Sequence, residues 1–171
     1  LLIETGEPNF QDVTREANLM RVGNINDQKI GGVGNTSGGV AWADYDNDGD
    51  LDLFWKCAEY DVDNALFRNN GDGTFTNVAT ELGLLVNLIS WGTNFIDYNN
   101  DGLIDLYVVA GCISGTANNG TLGCSWNGPI TDPLPTHNYL YKNIGDGFFE
   151  DISEQSGFNN PYLTTGTAIG D

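Results

Sequence analysis

Two short stretches crowd oxygen-bearing side chains at a fixed spacing. The first is Asp44-Tyr45-Asp46-Asn47-Asp48-Gly49-Asp50-Leu51-Asp52 and the second Asp97-Tyr98-Asn99-Asn100-Asp101-Gly102-Leu103-Ile104-Asp105. In both, carboxylates or carboxamides occupy positions 1, 3, 5 and 9, and glycine occupies position 6. Calcium takes roughly six to eight oxygens at about 2.3–2.6 Å. A tightly coiled loop turns alternate side chains inward, and glycine allows the sharp bend. The candidate ligands are therefore Asp44, Asp46, Asp48, Asp50 and Asp52 in the first loop. In the second they are Asp97, Asn99, Asp101, Leu103 and Asp105. Position 7 (Asp50 or Leu103) would give its backbone carbonyl, since Leu103 has no side-chain oxygen. Position 9 (Asp52 or Asp105) is the candidate bidentate carboxylate.

An EF-hand would carry glutamate at position 12 between two helices. Here position 12 is Trp55 or Val108, and the flanks read as strands. The expectation is an EF-like loop in a β-hairpin. Magnesium fits less well, because it keeps its waters and uses fewer protein ligands. Asp-Gly alone marks a turn, but four aspartates crowded without a cation repel one another.

The elements that must position these loops repeat along the chain. Asp44, Asp97 and Asp171 are each preceded at one offset by glycine (Gly39, Gly92, Gly166) and at another by a large apolar residue (Trp42, Phe95, Ile169). Apolar runs follow the first two loops, at 51–55 and 103–109. Consecutive apolar positions predict strands covered on both faces. A second block, Leu66–Phe75, recurs as Leu140–Phe149, and Leu1–Phe10 fits the same frame. Its Gly-Asp-Gly centre is a hairpin signal. A third block, Phe10–Thr14, recurs as Phe75–Ala79 and Phe149–Ser153.

One unit thus reads as four strands, with the acidic loop after the first and the Gly-Asp-Gly turn after the third. Repeated four-stranded units with buried inner strands predict an all-β chain of β-propeller blades. The expected divisions are 1–37, the outer half of one blade plus an insertion; 38–89, a complete blade; 90–163, a second complete blade; and 164–171, the first strand of a further blade. Residues 112–136, rich in Gly, Asn, Thr and Pro, read as a surface loop inserted in the second blade. A third acidic loop begins at Asp171. About two and a half units cannot close a ring of roughly four to eight blades. The expectation is a segment of a longer protein, with a short chain stacking edge to edge with its copies as the alternative.

Composition excludes several function classes. The chain has 24 acidic and 6 basic residues, a net charge of −18. Nucleic acid and anionic membrane surfaces are poor partners for such a charge. No apolar run is long enough to span a bilayer, and Leu1-Leu2-Ile3 is too short for a signal peptide. Of three cysteines, Cys112 and Cys124 could close a disulfide loop, and Cys57 reads as a buried thiol. Asn35 and Asn119 head glycosylation tripeptides.

No catalytic constellation is evident. His137 is the sole histidine. Ser90, Ser125 and Ser153 lack a nucleophile-elbow context, and the glycines at 31–34 lack the lysine of a phosphate loop. The expectation is not an enzyme. Tyr60, Trp91 and Trp126 are candidates for a binding surface, although aromatics in such repeats are more often core.

At Gly39–Leu53, Leu66–Phe75 and the Phe-x-Asp-Val-Thr block the sequence resembles FG-GAP/VCBS repeats of the ASPIC/UnbV-like, cartilage-acidic-protein-like group. The resemblance implies a calcium-binding propeller, commonly seven-bladed, similar to the integrin α-subunit head and secreted or on the cell surface. It carries the ligand positions onto both loops. Asn99 at position 3 is a substitution the pattern tolerates, and the 112–136 insertion departs from it. The functional expectation is an extracellular or periplasmic module for protein or glycan interaction and adhesion. The alternatives are a self-assembling subunit joined through open blade edges, or a non-catalytic section of a large secreted enzyme.

Overall fold

Apolar runs on either side of Asp-Gly turns fold into antiparallel hairpins. The computed structural model describes residues 2–4, 10–19, 37–57, 64–84, 90–110, 115–116, 122–123, 138–159 and 166–168. β1 (Leu2–Glu4) pairs with β2 (Phe10–Asp12). A four-stranded meander follows: β3 (Ser37–Ala43), β4 (Asp52–Cys57), β5 (Ala65–Asn69) and β6 (Phe75–Asn77). β7 (Ser90–Ile96) and β8 (Asp105–Ala110) open a second sheet. β9 (Gly115–Thr116) and β10 (Leu122–Gly123) form a small separate pair. β11 (Tyr139–Asn143) and β12 (Phe149–Asp151) complete the second meander, which runs β7-β8-β11-β12. These two sheets are β-propeller blades. The expected loop at 112–136 therefore contains a short strand pairing, which Gly-rich sequence does not forbid.

The blades match in register. Leu53 opposes Phe67 as Leu106 opposes Tyr141, and Asn69 opposes Phe75 as Asn143 opposes Phe149. Both first strands carry a register shift near their start, between Ser37 and Val40 and between Ser90 and Gly92.

The recurring glycines let the inner strands lie side by side. A Cβ on Gly39 would stand 2.9 Å from the Thr93 backbone nitrogen, and one on Gly92 would stand 3.0 Å from Thr167 Cγ2 and 3.2 Å from Thr167 N. Each glycine thus faces the residue that follows its counterpart in the next repeat. Asn94 Nδ2 also donates to Thr167 Oγ1 at 3.1 Å. Residues 166–168 therefore continue the stacking from which β3 and β7 are built.

The core lies between blades. Phe54, Leu66, Val78 and Leu84 from the first blade meet Leu106, Val108 and Tyr141 from the second. A second cluster joins Phe67 and Phe75 to Ala17, with Leu53, Trp55 and Leu19 partly buried against it. This corrects one expectation. β8 is buried almost continuously, as its sequence predicts. β4 alternates instead, with Asp52, Phe54 and Lys56 buried and Leu53 and Trp55 half-buried. The Leu53 face meets the 13–19 turn rather than a full sheet of apolar side chains.

The third block forms a helical turn after each outer strand. Asp12, Asn77 and Asp151 accept from the amides of Thr14, Ala79 and Ser153 at 3.0, 3.1 and 3.0 Å. The turns end in left-handed residues: Asn18, Gly83 and Gly157. Only the last is regular enough to count as a helix, α1 (Ser153–Ser156), an element the sequence reading did not anticipate.

Candidate metal centre

The two acidic loops adopt one conformation. Each connects the first and second strands of its blade, with position 4 (Asn47, Asn100) and position 6 (Gly49, Gly102) left-handed at φ 59°, 57°, 96° and 85°. Asparagine tolerates this region better than most side chains, and glycine enters it freely. The position-1 aspartate organises the coil. Asp44 accepts from the amides of Asp48 and Gly49 at 3.0 Å each. Asp97 accepts from those of Asp101 and Gly102 at 3.0 and 2.9 Å. At position 5, Asp48 and Asp101 accept from the amide two residues on, at 2.9 and 3.0 Å.

Position 9 ties the loop to the hairpin beyond it. Asp52 is fully buried, with Oδ2 accepting from Tyr45 N at 3.2 Å and Oδ1 from Asn69 N at 2.8 Å. Asp105 repeats this with Tyr98 N at 3.0 Å and Asn143 N at 2.8 Å. Burial pushes the Asp52 carboxyl up to about 6, against the pull of its two amide partners, and raises Asp105 in the same way. A positive charge beside such a carboxylate would favour its ionised form.

Carboxylate oxygens of Asp44, Asp46 and Asp48 lie within 4.8 Å of one another. Asp46 Oδ1 is buried and has no hydrogen-bond partner among the described residues. Burial, then the charge of Asp48, raises the Asp46 carboxyl. A buried acceptor without a donor, flanked by two more carboxylates, fits a hard cation with oxygen ligands. Asp50 and Asp52 fall outside this group of three. Asp50 instead lines a cavity of about 540 Å³ with Glu16, Asp72 and Phe75.

In the second loop the sequence difference has a structural consequence. Asn99 Nδ2 donates to Asp101 Oδ2 at 2.8 Å, and Lys142 Nζ stands 3.5 Å from the same oxygen. These hold the Asp101 carboxyl below its usual range, the Asn99 bond contributing most. The amide donor and the ammonium occupy part of the role a cation would fill. Leu103 is half-buried, its backbone amide turned to Asp101.

Sequence reasoning missed Asn69 and Asn143, which close the loops. Asn69 Nδ2 donates to Leu51 O and Asn143 Nδ2 to Ile104 O, both at 3.2 Å. The signal was present as the recurring Arg68-Asn69 and Lys142-Asn143 pairs, read as parts of a hairpin only. Among the serines weighed as nucleophiles, Ser90 and Ser153 are buried. Trp91 is half-buried. Cys112, Cys124, Asn35, Asn119, His137, Tyr60, Trp126, Ser125, the glycines at 31–34 and Asp171 lie outside the described residues, as does the side chain of Cys57.

Four-stranded antiparallel blades with an acidic loop in the inner hairpin define a propeller-repeat protein. Residues 57–108 match the FG-GAP-like repeat family. The matched span runs from the end of β4 through the second acidic loop into β8. The first loop lies outside it and joins the pattern through its equivalence with the second. A search of curated proteins finds no match.

Proposed function

We propose that this chain is a calcium-stabilised section of a β-propeller, a non-catalytic module that presents its loops to a protein or glycan ligand outside the cell or in the periplasm. The observation that carries the reading is the orphaned Asp46 Oδ1 between the carboxylates of Asp44 and Asp48. Asp44, Asp46, Asp48, the Asp50 carbonyl and Asp52 would hold the first cation. Asp97, Asn99, Asp101, the Leu103 carbonyl and Asp105 would hold the second. The cation would neutralise the crowded carboxylates and fix the hairpin on which the inter-blade core rests. Extracellular calcium modules in general bind at roughly 10⁻⁴–10⁻³ M, which suits a calcium-rich compartment. At tenfold excess over the dissociation constant each site would add about 1.4 kcal/mol. Calorimetric calcium titration of the wild type, Asp48→Ala and Asp101→Ala tests this. Binding heat for two sites, reduced to one in each variant, supports it. No calcium heat, with a melting temperature indifferent to EDTA, refutes it.

A further inference from the structure

Asn143 sits where the two blades meet and is 1% exposed. Its carboxamide nitrogen donates to a carbonyl of each acidic loop: Tyr45 O of the first at 2.7 Å, and Ile104 O of the second at 3.2 Å. Its Oδ1 accepts from Gly145 N at 3.0 Å, and its backbone N–H goes to Asp105 Oδ1 at 2.8 Å. Two carbonyls on one side and an amide on the other fix the orientation of the carboxamide.

Tyr45 is the residue between Asp44 and Asp46, the first two candidate ligands of the first loop. Its amide is held by Asp52 at 3.2 Å, the residue is 2% exposed, and its ring packs against Phe149 of the second blade at 5.7 Å. Ile104 lies between Leu103 and Asp105, candidate ligands at positions 7 and 9 of the second loop. A buried hydrogen-bonded path therefore runs Asp52–Tyr45–Asn143–Asp105 and touches both loops.

We propose that Asn143 is a positioning residue that couples the two loops, so that a cation in one raises the affinity of the other. The proposal rests on the calcium reading above. A cation at Asp44 and Asp46 orders the Tyr45 peptide, whose carbonyl then holds the Asn143 carboxamide. The carboxamide's second proton holds the Ile104 carbonyl, so part of the cost of ordering the second loop is met in advance. Coupling of this kind is reciprocal. The first blade supplies an internal control. Asn69 makes the same bonds to Leu51 O, Gly71 N and Asp52, and among the described residues none of these leaves its own blade.

The test is calcium calorimetry on the full chain in a double-mutant cycle. Asp101→Ala disables the second loop, and first-loop affinity is read in the wild-type, Asn143→Ala and Asn69→Ala backgrounds. One buried hydrogen bond predicts that Asp101→Ala weakens the first loop roughly 2- to 10-fold in the wild-type and Asn69→Ala backgrounds. In the Asn143→Ala background it should leave first-loop affinity unchanged. An equal effect with and without Asn143, or no effect in the wild type, overturns the coupling while leaving the cation sites intact. Absence of any calcium heat removes the cation reading and the coupling with it. Should Asn143→Ala not fold, amide hydrogen exchange on Asp48→Ala decides. Protection gained at residues 44–52 on adding calcium, which then enters only the second loop, supports the coupling, and no gain overturns it.

Discussion

Alanine placed in turn at Gly39, Gly92 and Gly166 should cost stability in that order. The three occupy one repeat position but meet different surroundings. At Gly39 the new Cβ would lie 2.9 Å from Thr93 N, 3.1 Å from Thr93 Cγ2 and 3.2 Å from Gly92 C. Two of these are backbone atoms of the neighbouring strand, so relief requires the blades to move apart. Overpacking of this kind costs about 1–3 kcal/mol, and Gly39→Ala should fall near the upper end. At Gly92 the nearest atom, 3.0 Å away, is the methyl of Thr167, which a rotamer change can withdraw; the backbone nitrogen of Thr167 remains at 3.2 Å, so a cost at the lower end, about 1 kcal/mol, is expected. At Gly166 nothing described lies within 4 Å, and alanine should be neutral or slightly stabilising. For a chain of this size 1 kcal/mol moves the melting temperature by roughly 2–4 °C. Thermal unfolding followed by circular dichroism should therefore show a drop of about 4–12 °C for Gly39→Ala, about 2–4 °C for Gly92→Ala and no drop for Gly166→Ala. EDTA should be present, so that cation binding does not mask the effect. Equal drops at all three positions, or a Gly39→Ala melt within about 1 °C of wild type, would show that the inner strands are not stacked through these glycines.

Other substitutions separate the roles of the acidic residues. Asp52→Ala leaves the amides of Tyr45 and Asn69 without their acceptor, which should cost about 2–5 kcal/mol in EDTA at neutral pH by denaturant titration. The exposed Asp48→Ala should change cation-free stability by less than about 0.5 kcal/mol. Burial lifts the folded Asp52 carboxyl to about 6, above the unfolded value of about 3.9. Between these values the folded chain holds the extra proton, so cation-free stability should fall as pH rises from about 4 to 6. Asp52→Asn should flatten that slope. Saturating calcium should reverse it, because protons compete with the cation; melting curves across this range in EDTA and in calcium check both signs. Asn18 is left-handed and donates to Phe75 O at 2.9 Å. Asn18→Ala should therefore cost about 1–2 kcal/mol and Asn18→Gly less, since glycine loses only the hydrogen bond.

The repeat frame was legible because each of its parts is local. An Asp-Gly turn, an apolar run and an acidic loop each announce themselves within a few residues. Their recurrence at Asp44 and Asp97, and at Leu66 and Leu140, declared the blades without reference to anything distant. The half-buried face of β4 was not legible. Leu53 and Trp55 are apolar in sequence, but their burial depends on what covers them, and that is the 13–19 turn. The roles of Asn69 and Asn143 were hidden for a similar reason. A polar residue at a strand end reads as solvent-facing unless its partner is known.

For the acidic loops, the sequence by itself determined the donor types, their spacing and the sharp bends at Gly49 and Gly102. Side-chain chemistry and backbone sterics act within one loop and need no partner. Only the tertiary structure decided which donors converge. It gathered Asp44, Asp46 and Asp48, left Asp46 Oδ1 without a donor, and buried Asp52 and Asp105 beneath two amides each. It also brought Tyr45 of one blade to Asn143 of the next, 98 positions away. Contacts of that separation are set by how the two blades stack, and the stacking depends on the glycines, aromatic rings and buried amides of both blades together.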